Sequence, residues 1–104
     1  MITVLVQFKL PAPVTRNEAR QLFSDVAPQF CQIPGLIRKY FLLSEDGSTA
    51  GGAYLWKSKE DAKRFYNNGF RELMIEKYGS EPSITYFESP VIVDNLASET
   101  IVTE

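Results

Sequence analysis

Apolar and polar side chains alternate at the start of the chain. The apolar positions recur with period two, at Ile2, Val4, Val6 and Phe8. Because successive residues of a strand face opposite sides of a sheet, this pattern predicts a first strand over residues 2–9. Pro11 and Pro13 end the strand, since proline has no N–H group to donate to a neighbouring strand.

A helical periodicity replaces this alternation from residue 15 onward. Thr15 and Glu18 fit a capping box, in which the threonine hydroxyl binds a backbone amide and the glutamate carboxylate reaches back. Apolar side chains then follow at steps of three and four, at Ala19, Leu22, Phe23, Val26 and Phe30. This spacing predicts a first helix whose last turn is broken or kinked by Pro28.

Two runs rich in apolar and aromatic residues predict a second strand over residues 36–43 and a third over residues 51–56. Residues 45–48 between them are typical of a hairpin loop. Gly51 and Gly52 lie inside the third strand, where glycine usually marks a bulge or the close approach of another group.

A second helix begins after Ser58. It is predicted in two pieces, because Asn67-Asn68-Gly69 interrupts the apolar pattern and Gly79 ends it. A fourth strand follows over residues 83–88, and Val91–Val93 extend beyond it.

The element order βαββαβ is that of the ferredoxin-like α+β fold, an antiparallel four-stranded sheet with two helices on one face. We expect a single domain of this kind over residues 1–94. Residues 95–104 show no apolar pattern, so we expect a loosely ordered C-terminal tail there.

The other face of this sheet needs a cover. The second strand carries apolar side chains on both faces, namely Leu36, Tyr40 and Leu42 beside Ile37, Phe41 and Leu43. The two helices cover one face only, so the simplest cover is the sheet of a second copy, and we predict a homodimer. Val91–Val93 would then leave their own sheet and dock on the partner.

Composition narrows the class of protein. The 104 residues suit one domain, and 11 basic against 13 acidic residues give a net charge of −2, which argues against nucleic-acid binding. No apolar run approaches the ~20 residues of a membrane span, so we expect no membrane association. The one cysteine, Cys31, excludes an intrachain disulfide, and the start of the chain does not resemble a signal peptide. These features predict a cytoplasmic protein.

The sequence contains no histidine. This excludes Ser-His-Asp and Cys-His nucleophilic machinery and histidine-ligated zinc or haem, and we predict no metal site. Catalysis would have to use carboxylates, Tyr, Lys, Arg, amide groups or the reactivity of the substrate itself.

Four stretches of the chain carry a family resemblance. They are Pro34-Gly35-Leu36 with Lys39, Ala50-Gly51-Gly52-Ala53-Tyr54-Leu55-Trp56, Ala62 with Tyr66, and Ser83-Ile84-Thr85-Tyr86-Phe87-Glu88. In this order and spacing they resemble the YdhR-type monooxygenases of the dimeric α+β-barrel superfamily, over most of residues 2–94. The resemblance implies a homodimer whose two sheets face each other as a barrel, with a pocket in each subunit between sheet and helices.

The resemblance also implies an activity. Superfamily relatives of known chemistry use neither metal nor flavin and let an electron-rich aromatic substrate react with O₂. We therefore expect a monooxygenase without a cofactor, acting on a small aromatic or enolisable compound whose carbanion reduces O₂ directly. Two alternatives stay open: a ligand-binding or stress-response barrel without turnover, and an isomerase of the same fold that acts by proton transfer.

The candidate catalytic residues are Gln7, Arg38 and Tyr66. Gln7 stands roughly where the related enzymes have an asparagine on the first strand; the alternative is a glutamine at the surface or at an interface. Arg38 and Lys39 point to opposite faces of the second strand, so one of them would meet the pocket and stabilise an enolate or phenolate, unless it pairs with a carboxylate such as Glu88. Tyr66 would need a lowered pKa to act as a base near neutral pH.

The candidate substrate-binding residues are aromatic: Tyr54, Trp56, Phe65 and Tyr86. Tyr54 and Trp56 share one face of the third strand, where they form either a wall against a flat substrate or part of the core. Phe65 stands roughly where the related enzymes have an indole on the second helix.

Overall fold

In a computed structural model, which describes residues 1–103, the elements follow the predicted order. The strands are β1 (Ile2–Lys9), β2 (Leu36–Leu43), β3 (Thr49–Trp56), β4 (Ser83–Glu88), β5 (Val91–Asp94) and β6 (Glu99–Val102). The helices are α1 (Arg16–Val26), α2 (Lys59–Phe65) and α3 (Asn68–Tyr78), with a 3-10 turn over Ala27–Phe30. The ferredoxin-like α+β order is confirmed, and the second helix is divided where the sequence predicted an interruption.

The main sheet has the strand order β2-β3-β1-β4, and all neighbouring strands are antiparallel. Val4 of β1 lies opposite Tyr54 of β3 and Tyr86 of β4. This register brings the even-numbered side chains of the three strands onto one face of the sheet, which we call the helix-side face.

A β-bulge between Leu36 and Arg38 shifts the pattern in β2. Leu36 pairs with Trp56, but beyond the bulge Lys39 pairs with Tyr54. A bulge adds one residue to one strand, so the odd-numbered residues of β2 join the helix-side face after it. Lys39 therefore faces the helices, and Arg38 faces the opposite side.

The buried core lies between the helix-side face and the helices. It comprises Ile2, Val4, Val6, Phe8, Ala50, Tyr54, Trp56, Ala62 and Tyr66. The capping box at the start of α1 is present, because Thr15 Oγ1 accepts a hydrogen bond from the Glu18 N–H at 3.2 Å and Glu18 Oε1 accepts one from the Thr15 N–H at 2.9 Å. Leu22, placed on the apolar side of α1 by its spacing, is nevertheless exposed.

On the opposite face of the sheet, which we call the open face, no helix of residues 1–103 lies. Tyr40 and Phe87 are more than half exposed there, and Leu5 and Leu55 are partly exposed. None of the helices within residues 1–103 is long and apolar enough to cross a membrane.

The end of the chain differs from the loosely ordered tail expected over residues 95–104. β5 and β6 pair as a small antiparallel hairpin, Val91–Val102, and Thr103 N–H donates to the Pro90 carbonyl at 2.8 Å. A polar turn joins the two strands, because one oxygen of Asp94 accepts hydrogen bonds from the amides of Leu96 and Ala97, each at 3.1 Å. Glu104 lies outside the described residues.

Candidate functional site

A cavity of about 380 Å³ lies between the helix-side face and the helices. Aromatic side chains from most of the surrounding elements line it, namely Phe8, Phe23, Phe30, Phe41, Tyr54, Phe65, Phe70 and Tyr78. The polar side chains on its wall are Gln29, Lys39, Asn67 and Lys77. A flat, mostly apolar molecule with a few oxygen atoms fits such a lining.

Lys39 is the charged group placed inside this ring of aromatics. Its Nζ lies 3.4 Å from the ring centroid of Phe30, 3.9 Å from that of Phe41 and 4.6 Å from that of Tyr54. Within residues 1–103, no carboxylate oxygen comes within ion-pair distance of this nitrogen. The ammonium form is therefore held only by ring faces, which attract a cation weakly compared with a carboxylate.

Burial lowers the pKa of Lys39 from its ordinary value of 10.5 to about 7. The cause is desolvation, because the charged form loses water that no opposite charge replaces. Near neutral pH a large share of this amine is therefore uncharged and able to accept a proton. A lysine in water is almost wholly protonated at the same pH.

Gly52 makes room for this arrangement. A Cβ atom at position 52 would lie 2.8 Å from Cε1 of Tyr54 and 3.0 Å from Cε of Lys39. Both distances are shorter than ordinary contacts between carbon atoms. The absence of a side chain at Gly52 thus lets the lysine stem and the tyrosine ring lie side by side over β3.

Tyr54 and Phe65, two of the candidate substrate-binding residues, lie on the cavity wall. Their rings are 6.0 Å apart, and the Tyr54 ring also stacks on Trp56 with centroids 6.1 Å apart. Burial raises the pKa of Tyr54, so its hydroxyl stays protonated near neutral pH. It can donate a hydrogen bond but is a poor base.

Trp56 and Tyr66 belong to the core beneath the cavity and are not part of its wall. Trp56 is 0% exposed, and its indole N–H donates to the Tyr66 hydroxyl at 3.0 Å. Burial raises the pKa of Tyr66, the opposite of what a catalytic base would need. Tyr86 also lies outside the cavity wall, with its ring edge-on to Tyr66 at 6.1 Å.

Gln7 and Arg38, the other two candidate catalytic residues, lie on the open face. Gln7 is exposed, because it alternates with the buried Val6 and Phe8 along β1. Arg38 is turned away from the cavity by the β2 bulge and forms an ion pair with Asp94 at 3.0 Å. Within the subunit, neither residue reaches the cavity. Their positions agree with the alternatives that the sequence left open, a surface glutamine and an arginine paired with a carboxylate.

Lys39 is the polar centre that replaces them. The sequence indicated only that one of Arg38 and Lys39 would face the pocket. A strict alternation counted from Leu36 favours Arg38, and only the bulge reverses that choice. Phe30 and Phe41 were read as helix and strand residues of the core, and their proximity to an amine depends on tertiary packing.

A wider depression of about 640 Å³ lies between α1 and the loop that joins β2 to β3. Two of the polar residues on its wall, Thr15 and Asp46, already have partners within the chain. Thr15 is engaged with Glu18, and one oxygen of Asp46 accepts hydrogen bonds from Ser44 and Ser48. These bonds hold the pKa of Asp46 down to about 2, so it stays ionised and structural.

No group of three His, Cys, Asp or Glu side chains within the described part of the chain is placed to hold a metal ion. The chemistry that the cavity itself offers is that of a partly uncharged amine, two amides and aromatic ring faces. Such a set can bind a planar molecule and move a proton at its polar edge.

Comparison with known proteins gives a family and a fold. The sequence profile of the family described as "Putative mono-oxygenase ydhR" matches residues 4–88. No curated protein matches the chain significantly.

Solved structures with the same fold include three proteins described as monooxygenases or oxygenases, from Streptomyces and Deinococcus. A monooxygenase from the gene ActVA-Orf6 of Streptomyces coelicolor, in complex with nanaomycin D, is 16% identical with a TM-score of 0.60, over 83% of this chain and 84% of that one. SnoaB, a cofactor-independent oxygenase from Streptomyces nogalater, is 18% identical with a TM-score of 0.60, over 85% and 91%. A putative antibiotic biosynthesis monooxygenase from Deinococcus radiodurans is 13% identical with a TM-score of 0.64, over 90% and 97%.

Proposed function

The chain belongs to the family of the putative mono-oxygenase ydhR, and from that premise we propose that it oxygenates a small phenolic or enolisable aromatic compound, with Lys39 as the catalytic base. The single observation that carries this proposal is the position of Lys39, an amine with a lowered pKa inside an aromatic cavity. The substrate would lie flat against Tyr54 and Phe65 with its acidic O–H or C–H group directed at Nζ.

The proposed reaction needs only the substrate, O₂ and one proton carrier. The uncharged Lys39 amine takes a proton from the substrate, and the ammonium that results stabilises the enolate or phenolate beside it. The electron-rich carbon then reduces O₂ and forms a carbon–oxygen bond. The peroxide anion recovers a proton from Lys39, and loss of water leaves a carbonyl, so that CH₂ and O₂ become C=O and H₂O.

We propose that neither a metal nor a flavin takes part. The support is the similarity in fold to SnoaB, which is described as a cofactor-independent oxygenase. The cavity favours such chemistry physically, because a low-dielectric lining strengthens the interaction between an ammonium and a developing anion. Gln29 and Asn67 on its wall offer amide groups to further oxygen atoms of the substrate.

Oxygen uptake with dihydroxynaphthalenes tests the proposal. We expect one O₂ consumed per substrate, one atom of isotopically labelled O₂ in the product, and at least a roughly hundredfold loss of rate in Lys39→Met. Lys57→Met is the matched control, since Lys57 is exposed and lies outside the cavity wall. Proton exchange without O₂ uptake would show an isomerase instead, and saturable binding without either reaction would show a ligand-binding protein.

We also propose that the working form is a homodimer closed over the open face. Tyr40 and Phe87 are exposed there, and the hairpin Val91–Val102 adds exposed valines beside them. Patches of this kind on a soluble chain usually mark an interface. A second copy of the same sheet would cover them symmetrically.

The reducing cytoplasm is the compartment that we propose. The support is the chain's one cysteine, Cys31, which is exposed and free. A free thiol at the surface is stable in a compartment that keeps thiols reduced.

A further inference from the structure

We propose that Lys39 is also a covalent carbonyl-binding site, forming a Schiff base with aromatic aldehydes and ketones that enter the cavity. This activity goes beyond oxygenation, because it needs no O₂ and no acidic group on the ligand. It rests on the placement of one nucleophilic nitrogen inside a space of suitable size and lining.

The nitrogen is reachable and is not tied to an acceptor. In the described part of the chain, Lys39 Nζ has no hydrogen-bond or ion-pair partner among the side chains and backbone groups that the structure records. Within the described part of the chain, every side-chain nitrogen or oxygen that is fully shielded from solvent has a hydrogen-bond partner. Because Lys39 Nζ has none, it keeps some solvent-accessible surface, and Lys39 lies on the cavity wall, so a ligand in the cavity can meet this nitrogen.

The surroundings favour the nucleophilic form of the amine. A lysine attacks carbonyl groups only when uncharged, and desolvation in an apolar site is a recognised way of keeping it so. The rings of Phe30, Phe41 and Tyr54 enclose Nζ, and no carboxylate of the described residues stabilises the ammonium. Lys57, Lys59 and Lys63, by contrast, are exposed.

The lining selects the class of carbonyl compound. Ring faces and apolar side chains make up most of the wall of a cavity of about 380 Å³, which suits one or two fused aromatic rings better than a polar sugar or keto acid. Gly52, which has no side chain, lets the stem of Lys39 lie close against β3 beside the Tyr54 ring, and both residues line the cavity. A planar ligand can therefore place its carbonyl carbon at Nζ while its rings rest on Tyr54 and Phe65.

The covalent step balances without a further reactant. The lone pair of Nζ forms a bond to the carbonyl carbon, and a proton moves from nitrogen to oxygen to give a carbinolamine. Loss of water breaks the carbon–oxygen bond and leaves an imine. The reaction is reversible, because water re-entering the cavity hydrolyses the imine.

Reductive trapping tests the proposal. The full chain is incubated without O₂ with 2-naphthaldehyde and sodium cyanoborohydride, which reduces the imine to a stable amine, and adducts are then mapped by peptide mass spectrometry. We expect a first adduct at Lys39 that forms at least about tenfold faster than adducts at Lys57, Lys59 or Lys63 near neutral pH. Excess naphthalene, which has no carbonyl, should slow labelling at Lys39 and leave Lys57, Lys59 and Lys63, which lie outside the cavity wall, unaffected.

The exposed lysines of the same chain serve as internal controls, so the result does not depend on whether a variant folds. Equal labelling rates at all lysines, or no adduct at Lys39, would overturn the proposal. Lys39→Arg should lose the fast adduct and keep the slow ones. Because trapping is done without O₂, a chain that consumes O₂ but is not trapped refutes only this inference, and one that is trapped but consumes no O₂ refutes only the oxygenase.

Discussion

At the scale of single residues, Trp56 and Tyr66 form a buried hydrogen-bonded pair that stabilises the fold. Phenylalanine at position 56 would remove the donor to the Tyr66 hydroxyl and leave a void beside it. We expect Trp56→Phe to lower the free energy of unfolding by about 2–3 kcal/mol, measured by urea denaturation. Affinity for a dihydroxynaphthalene should not change in calorimetric titration, because Trp56 does not line the cavity. Normal stability with weakened binding would place the indole in the site.

A second prediction at this scale concerns Lys39 and the pH dependence of the free energy of unfolding. Its pKa is about 7 in the folded chain against an ordinary value of 10.5, so between these values the unfolded chain binds more protons and stability rises with pH. The free energy of unfolding would rise by at most about 1.4 kcal/mol per pH unit. Partial solvation of Nζ and the attraction of the ring faces for the ammonium reduce the expected slope to about 0.5–1 kcal/mol per pH unit.

The measurement is the difference in unfolding free energy between the wild type and Lys39→Met from about pH 7 to about pH 9. Taking the difference cancels every other titrating group that the two chains share. The range stays below the ordinary tyrosine pKa of 10.0, where the buried Tyr54 and Tyr66 would act in the opposite direction. A difference that stays flat with pH would show that the amine is as well solvated as one in water.

The sequence predicts the aromatic residues on the wall of the site better than the amine at its centre. Alternation along β3 was enough to orient Tyr54, and the family resemblance was enough to single out Phe65. The choice between Arg38 and Lys39 depended on a bulge within β2, which adds one residue and leaves no composition signal at Leu36-Ile37-Arg38. The burial that lowers the pKa of Lys39 depends on three rings from separate elements, so the sequence of β2 alone does not predict it.

At the scale of elements, the break between α2 and α3 positions two aromatic side chains of the cavity wall. Asn67 Oδ1 accepts a hydrogen bond from the Phe70 N–H at 3.0 Å, and its Nδ2 donates to the Arg64 carbonyl at 3.2 Å. One side chain thus caps α3 and closes the end of α2. Phe65 and Phe70, on either side of this break, both line the cavity.

We expect Asn67→Ala to cost about 1 kcal/mol of stability and to weaken ligand binding, because the cap and the link between the two helices are lost together. Asn67→Asp is the matched control, since aspartate keeps the capping oxygen and loses only the donor. Thermal unfolding and calorimetric titration measure the two effects. Equal stability of Asn67→Ala and the wild type would mean that the helix ends are held by packing alone.

The elements themselves were largely predictable, because each carries a local signal. The capping box at Thr15, the interruption at Asn67-Asn68-Gly69 and the glycine at position 79 all mark helix ends in the sequence. β6 was not predicted, since Glu99–Val102 is short and has no alternation. It forms because the Asp94 turn brings it beside β5.

At the scale of the whole molecule, the open face of the sheet determines the expected assembly. We expect sedimentation equilibrium to show a dimer at micromolar concentration. Phe87→Glu should give a folded monomer, because Phe87 is 51% exposed and a charge there would be desolvated only in the interface. Leu22→Glu is the control, since Leu22 is 57% exposed but lies on α1, away from the open face. An 11.8 kDa wild-type monomer would contradict the expectation.

The last prediction concerns the contribution of the hairpin Val91–Val102 to the dimer. Within residues 1–103, the Arg38–Asp94 ion pair is the polar contact recorded between this hairpin and its own sheet. Val93 and Val102 expose 65% and 75% of their surface. Valines left so exposed gain roughly 25 cal/mol per Å² when a partner covers them. A chain truncated after Ser89 should therefore keep its fold and cavity, whose lining ends at Tyr78, but its dimer dissociation constant should rise at least about tenfold.

Asp94→Asn separates the two roles that the hairpin could have. It weakens the ion pair with Arg38 and leaves the exposed valines in place, so dimer affinity should fall much less than after truncation. If instead the truncated chain dimerises as tightly as the full one, the valines do not contact the partner, and the open face closes through the strands of the main sheet alone. If Asp94→Asn weakens the dimer as much as truncation does, the ion pair positions the hairpin, and contact by the valines depends on it.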